Sequence, residues 1–175
     1  MGEAKKEILI ARKDIDRRVR ELAALISRDY RGSDLIIVGI LKGAFVFMAD
    51  LIRYMSIPCQ VDFVRLASYG TGTVSTGNIA ISKDIETSIE GRDVLVVEDI
   101  LDTGLTLTSL VERLKNRAPR SLRVCVFLDK KERRKVPFVA EYVGFDIPDR
   151  FVVGYGLDFN EMYRFLPDVC VLEGN

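Results

Sequence analysis

The chain has no histidine, no tryptophan and only three cysteines among 175 residues. Without histidine, Ser-His and Cys-His nucleophilic relays and the usual zinc sites are excluded. Acid, base and metal work therefore falls to Asp, Glu, Lys, Arg and Tyr. Cys59, Cys125 and Cys170 lie far apart with no CxxC pair, so the expectation is three buried, reduced thiols rather than a metal or redox motif. Net charge is missing too: 26 basic residues cancel 26 acidic ones. No global field then draws nucleic acid or a membrane surface, and any anion site has to be built locally. No stretch approaches the roughly 20 apolar residues of a membrane span. The opening MGEAKKEILIARKDIDRR carries no apolar run of a secretory leader, and Lys6 stands where a myristoylation signal needs Ser or Thr. The expectation is a cytoplasmic protein with no nucleic-acid or membrane partner.

What is present fits one domain over residues 1–175. Ile15, Val19, Leu22, Ala23 and Ile26 recur at helical spacing, with Gly32 as a stop. Residues 35–40 are a continuous apolar run, the mark of a strand buried on both faces. Phe45, Met48, Leu51, Ile52 and Met55 predict a second helix ended by Pro58, and residues 60–67 another strand. Ser68 to Gly77 holds three Gly and five Ser or Thr in ten residues, which predicts a mobile surface loop. Short strand 78–82, buried strand 93–98, a helix on Leu107, Leu110, Val111 and Leu114, and strand 122–128 complete the alternation. Alternating strands and helices predict an α/β fold with a doubly wound, mainly parallel sheet flanked by helices. The N- and C-terminal segments, with short extended runs over 138–153 and little helical periodicity, are expected to form a small cap over one end.

Val94-Leu95-Val96-Val97-Glu98-Asp99-Ile100-Leu101-Asp102-Thr103-Gly104-Leu105-Thr106 carries the most information. A buried strand delivers Glu98 and Asp99 at its C-terminal end, where open α/β sheets bind ligands. Asp102 follows, then Thr103-Gly104-Leu105-Thr106 leads into a helix. The N–H groups and hydroxyls of such a turn can wrap a phosphate at the helix N-terminus. Singly, these are solvated strand-end charges and a helix cap; together they place diol and phosphate recognition about a sugar's length apart.

This run resembles the phosphoribosyl pyrophosphate motif of the type I phosphoribosyltransferases. Further segments match the hypoxanthine-guanine branch of that family: Leu41-Lys42-Gly43-Ala44, Ser68-Tyr69-Gly70, Leu128-Asp129-Lys130-Lys131, and the run from Val143 to Glu161. The likeness extends from Ile8 to Glu173, essentially the whole chain. It implies that Glu98 and Asp99 hold the ribose hydroxyls, directly or through Mg²⁺. Asp102, Thr103, Gly104, Leu105 and Thr106 hold the 5′-phosphate, and Leu41, Lys42, Gly43 and Arg164 the pyrophosphate. The Leu41–Lys42 peptide can be cis in that branch. Ser68 and Tyr69 belong to a closing loop. Lys130, Phe151, Val152 and Asp158 form the purine site: Lys130 donates to O6, Phe151 stacks, Val152 pairs with the base edge through its backbone, and Asp158 supports a pyrophosphate-bound Mg²⁺. The implied metal ligands are Glu98, Asp99 and Asp158.

The activity implied is transfer of the 5-phosphoribosyl group from phosphoribosyl pyrophosphate to N9 of hypoxanthine or guanine, giving IMP or GMP and pyrophosphate. Asp102 is the acceptor near purine N7, as general base or as charge stabiliser. A homodimer or homotetramer is the family expectation. Two other readings are weighed. A nucleic-acid-binding regulator that keeps the sugar-phosphate pocket needs a basic face, but the clearest cluster, Lys130-Lys131-Glu132-Arg133-Arg134-Lys135, is short and broken by Glu132. Lys130 with Phe151 argues against adenine or a pyrimidine as acceptor, while xanthine stays open.

Overall fold

The structure, a computed structural model, describes residues 6–67 and 80–172. The predicted 68–77 loop, with Ser68 and Tyr69, lies outside the described residues. Helix α1 (Arg12–Asp29) buries Ile15, Val19, Leu22, Ala23 and Ile26, the stripe that its periodicity predicts. Strands β2 (Leu35–Leu41), β3 (Gln60–Ala67), β5 (Asp93–Leu101) and β6 (Ser121–Asp129) fall on the predicted runs, and β4 (Ala80–Lys83) covers the described part of the predicted 78–82 strand. Helices α2 (Phe45–Tyr54) and α3 (Leu105–Lys115) follow β2 and β5.

With β7 (Tyr142–Asp146), a six-stranded sheet has the order β4-β3-β2-β5-β6-β7, parallel throughout except for antiparallel β4. Side chains alternate across it. Ile37, Leu95, Val97, Cys125 and Phe127 pack with α1 and α2 on one face. Ile36, Val38, Val94, Val96, Val124 and Val126 pack with α3 on the other. Both faces are covered, which is why the central strands read as unbroken apolar runs. From β2 the chain crosses by α2 to β3 on one side. From β5 it crosses by α3 to β6 on the other. The order therefore reverses between β2 and β5, and the crevice beyond their carboxyl ends is the expected ligand position of an open α/β sheet.

Three expectations need correction. The tail does not belong wholly to the cap: β7 (Tyr142–Asp146) pairs parallel with β6 and extends the main sheet. The cap itself is a regular antiparallel sheet, β1 (Lys6–Ile10), β9 (Val169–Leu172) and β8 (Val152–Val153), in the order β1-β9-β8. Phe45 is not on the buried face of α2, which is Phe47, Met48 and Leu51; it lies 43% exposed at the helix start. All three cysteines are free, but Cys59 is only half-buried while Cys125 and Cys170 are buried. No helix among the described residues is long and apolar enough to cross a membrane.

At the opposite end of the sheet Asp93 starts β5, buried, paired with the Arg120 guanidinium and accepting a 2.7 Å bond from the Ser121 hydroxyl. The Arg120 hydrogen bond, with help from Ser121, holds its carboxyl well below the usual carboxylate range. A depressed pKa stabilises the fold fully above the unfolded value near 4 and loses that contribution as pH falls toward the folded one. Asp93→Asn is expected to lower stability by about 1.5–3 kcal/mol at pH 7, the scale of charged hydrogen bonds, and by less at pH 3. Urea denaturation at both pH values checks this; the same gap at each would show that the ionised carboxylate is not what matters.

Candidate active site

The carboxyl ends of β2 and β5 bring together two predicted segments far apart in sequence. The Leu41–Lys42 peptide is cis, as the resemblance implies. The next residue, Gly43, lies so close to Asp99 that a Cβ there would sit 1.5 Å from Asp99 Oδ2. Any larger residue would have to displace this carboxylate, so the β2–α2 turn and Asp99 lie against each other.

Glu98 and Asp99 alternate across β5. Glu98 is buried, and its Oε1 accepts the Asp99 N–H at 2.9 Å. Burial, reinforced by the Asp99 charge, pushes the Glu98 carboxyl well above the carboxylate range; burial also raises Asp99. The pair is therefore short of positive charge or donors. The turn beyond leads into α3. Gly104 takes φ +83° and Thr103 Oγ1 accepts the Leu105 N–H at 3.4 Å. A hollow of about 150 Å³ lies over the turn, lined by Glu98 to Gly104, Thr106 and Leu107.

A larger hollow of about 500 Å³ adjoins it, lined by Asp99, Ile100, Asp102, Lys130, Arg133, Asp149, Phe151, Val152, Leu157 and Asp158. The two share Asp99, Ile100 and Asp102. Lys130 is buried at the end of β6, tied to β5 by its N–H to Leu101 O at 2.9 Å, with Nζ 3.7 Å from Asp149 Oδ1. Phe151 is exposed on one side and set edge-on against Phe159, with centroids 5.5 Å apart. Val152 is fixed in β8. A flat aromatic ligand thus finds an open ring face, a cation and a carboxylate around one space.

Asp102 is held twice by consecutive arginines. Arg133 Nε lies 2.9 Å from its Oδ1, and Arg134 Nη1 donates to its backbone carbonyl at 2.5 Å while pairing with buried Asp129. Arg133 also reaches Asp149 Oδ2 at 3.4 Å. Sequence reasoning gave no role to Arg133, Arg134 or Asp149. The only signal was the basic run itself: Lys130, Lys131, Arg133 and Arg134 all face carboxylates, Lys130 and Arg134 from largely buried positions and Lys131 and Arg133 at the surface.

The remaining predicted residues gather on the segment after β8. Arg164 Nη2 pairs with Asp158 Oδ1 at 2.7 Å, and Nη1 donates to Gly156 O at 2.7 Å. Arg164 Nε is buried and has no acceptor among the described residues. Lys42 lines neither hollow; its Nζ lies 2.9 Å from Glu161 Oε1. Glu98, Asp99 and Asp158 do not form a cage: among the described residues no three acids or cysteines are grouped to hold a metal ion. The reason is local, since Glu98 is turned onto its neighbour's N–H and Asp158 is engaged by Arg164 and the Glu161 N–H. Asp99 and Asp158 do face the same hollow.

The phosphoribosyl transferase domain family matches residues 7–160. The chain is 50% identical over 170 residues to the hypoxanthine-guanine phosphoribosyltransferase of Aquifex aeolicus, covering 97% of this chain and 96% of that one. Identity to the Bacillus subtilis protein of the same name is 46% over 168 residues, 96% of this chain and 93% of that one. Among solved structures, a hypoxanthine phosphoribosyltransferase from Staphylococcus aureus matches with TM-score 0.94 and 48% identity, over 98% of this chain and 92% of that one. A Bacillus anthracis hypoxanthine-guanine phosphoribosyltransferase matches with TM-score 0.93 and 46% identity, over 97% and 99%.

Proposed function

The chain belongs to the phosphoribosyl transferase domain family, and from that premise we propose that it carries the 5-phosphoribosyl group from phosphoribosyl pyrophosphate to N9 of hypoxanthine or guanine, a reaction of purine salvage. One observation supports this above the rest: a phosphate-sized hollow and a base-sized hollow meet along Asp99, Ile100 and Asp102. A nucleoside monophosphate spans just such a pair, with its ribose over the shared wall.

In this reading the turn from Asp102 to Thr106 receives the 5′-phosphate at the start of α3, where N–H groups and the helix dipole favour an anion. Glu98 and Asp99 take the ribose hydroxyls, whose donors relieve the acid pair. In the larger hollow Lys130 donates to purine O6, Phe151 stacks on the ring and the Val152 backbone meets the base edge. As N9 bonds to C1′ and the pyrophosphate oxygen leaves it, positive charge grows on the sugar and on the purine. Asp102 faces N7 and accepts that proton or balances that charge. Lys42 and Arg164 supply positive charge toward the departing pyrophosphate.

Asp99 and Asp158 suit a hard cation that keeps water and substrate oxygens as its other ligands, the usual manner of Mg²⁺. When bound there, Mg²⁺ would neutralise charge on the pyrophosphate. In this mode Glu98 serves the ribose rather than the ion. We carry over the cytoplasmic setting and the homodimer or homotetramer as part of the same proposal; light scattering of the purified chain reads the oligomeric state.

The expected result is IMP and pyrophosphate from hypoxanthine and phosphoribosyl pyrophosphate, and GMP from guanine, with Mg²⁺ present and no turnover in excess EDTA. Xanthine is run alongside. No product from either base, or full turnover in EDTA, would overturn the reading.

A further inference from the structure

Glu161 stands between the two cations assigned to pyrophosphate, and neither sequence nor family likeness gave it a role. Its Oε1 lies 2.9 Å from Lys42 Nζ and its Oε2 3.2 Å from Arg164 Nη2. The partners come from different segments, the cis turn after β2 and the run after β8, so one carboxylate closes a span that the chain leaves open. Glu161 itself is 63% exposed at its side chain and sits at φ +64°, between Asn160 at +51° and Tyr163 at +74°. It is no core element. The Asp158 carboxylate accepts its N–H at 2.8 Å, which holds the backbone so that the side chain faces Lys42 and Arg164. The two cations, Lys42 first and then Arg164, keep the Glu161 carboxyl below the usual glutamate range.

We infer that Glu161 is a surrogate anion: its carboxylate occupies the Lys42–Arg164 pair when pyrophosphate is away, and the incoming diphosphate displaces it. This rests on the phosphoribosyltransferase reading and deepens it. Two consequences follow from the charges. Lys42 stays oriented toward Arg164, which Asp158 also holds at 2.7 Å, rather than turning onto Asp99. The bound diphosphate is also held less tightly than two free cations would hold it, because Glu161 competes for the same donors. Return of Glu161 would then assist departure of the pyrophosphate product.

Glu161→Gln keeps shape and backbone and removes the charge. Two half-exposed ion pairs are weak singly, so pyrophosphate and phosphoribosyl pyrophosphate should bind about 2- to 20-fold more tightly to the variant. Pyrophosphate should inhibit it at correspondingly lower concentration. The KM for hypoxanthine should not move, since Glu161 does not line the base hollow. The measurements are calorimetric titration of the full chain with magnesium pyrophosphate, and product-inhibition kinetics. In a Lys42→Met background the gain should shrink, because one of the two freed cations is gone. A wild-type chain that forms no IMP would overturn the functional reading and this inference with it. IMP formation by both chains, with pyrophosphate bound equally or more weakly by Glu161→Gln, would overturn the surrogate alone and make Glu161 an organiser of its loop.

Discussion

Asp102→Asn should form IMP about 10²- to 10⁴-fold more slowly than the parent chain, the usual scale for loss of a positioned acid or base. The amide keeps the size of the carboxylate and one oxygen for Arg133, but it can neither take a proton nor balance the charge that grows on the purine. The fold should tolerate the change. The Arg133 pair is half-exposed, where solvent screens such pairs and their loss changes stability little, and the Arg134 bond goes to the backbone carbonyl, which Asn retains. The KM for phosphoribosyl pyrophosphate should change little, because Asn keeps the size of Asp102 and the smaller hollow is also lined by Thr103, Gly104 and Thr106. Steady-state kinetics with hypoxanthine saturating gives the answer. An unchanged kcat would remove Asp102 from the chemistry and leave it a structural anchor for the two arginines.

The sequence was informative where the physics is local. The stripe of α1 is periodic because one helix face meets a flat sheet, and all five residues that mark it are buried. Strands β2 and β5 are unbroken apolar runs because helices cover both faces. Where partners are distant, local pattern was silent. Strand β1 acquires its identity from β9, about 160 residues away, through pairs such as Lys6 with Leu172. Strand β7 is five residues of mixed polarity that become a strand only because β6 offers an open edge. Phe45 misled for a related reason. Its spacing with Met48 and Leu51 suggested one apolar face, but the first turn of α2 overhangs a hollow of about 690 Å³ lined with Phe165, Tyr54 and Tyr155, rather than the sheet.

The candidate site divides along the same line. The acid pair, Asp102 and the phosphate turn were legible because they follow one another along a single strand and turn. Arg133 and Asp149 were not, because their meeting with Asp102 depends on how the β6–β7 connection folds back across the end of β5. Residue type gave little help: a run of six residues with five cations looks like a solvated face until its carboxylate partners are placed. Glu161 was within a quoted motif and still went unread, since its meaning comes from Lys42, which is 119 residues earlier.

Adenine should be turned over at least about 10⁴-fold less efficiently than hypoxanthine, as specificity constants, because a site built to donate a hydrogen bond rejects a ligand that cannot accept it. Lys130 has three donors and no acceptor. In the proposed site hypoxanthine and guanine would present O6 to it; adenine would present an amino group, which sets donor against donor. Lys130 cannot easily turn away. It is buried, its own N–H is bound to Leu101 O, and the only carboxylate near its ammonium is Asp149 at 3.7 Å among the described residues. Adenine would therefore leave a buried cation short of a partner, which is where such discrimination arises. Lys130→Met tests the cause as well as the effect. The variant should lose most of its activity toward hypoxanthine while its small activity toward adenine stays level or rises, so that the two specificity constants converge. Initial rates with both bases, on parent and variant, supply all four values. Comparable constants for adenine and hypoxanthine in the parent chain would take Lys130 out of the base site. An equal loss for both bases in the variant would mean that Lys130 supports the hollow without reading position 6 of the purine.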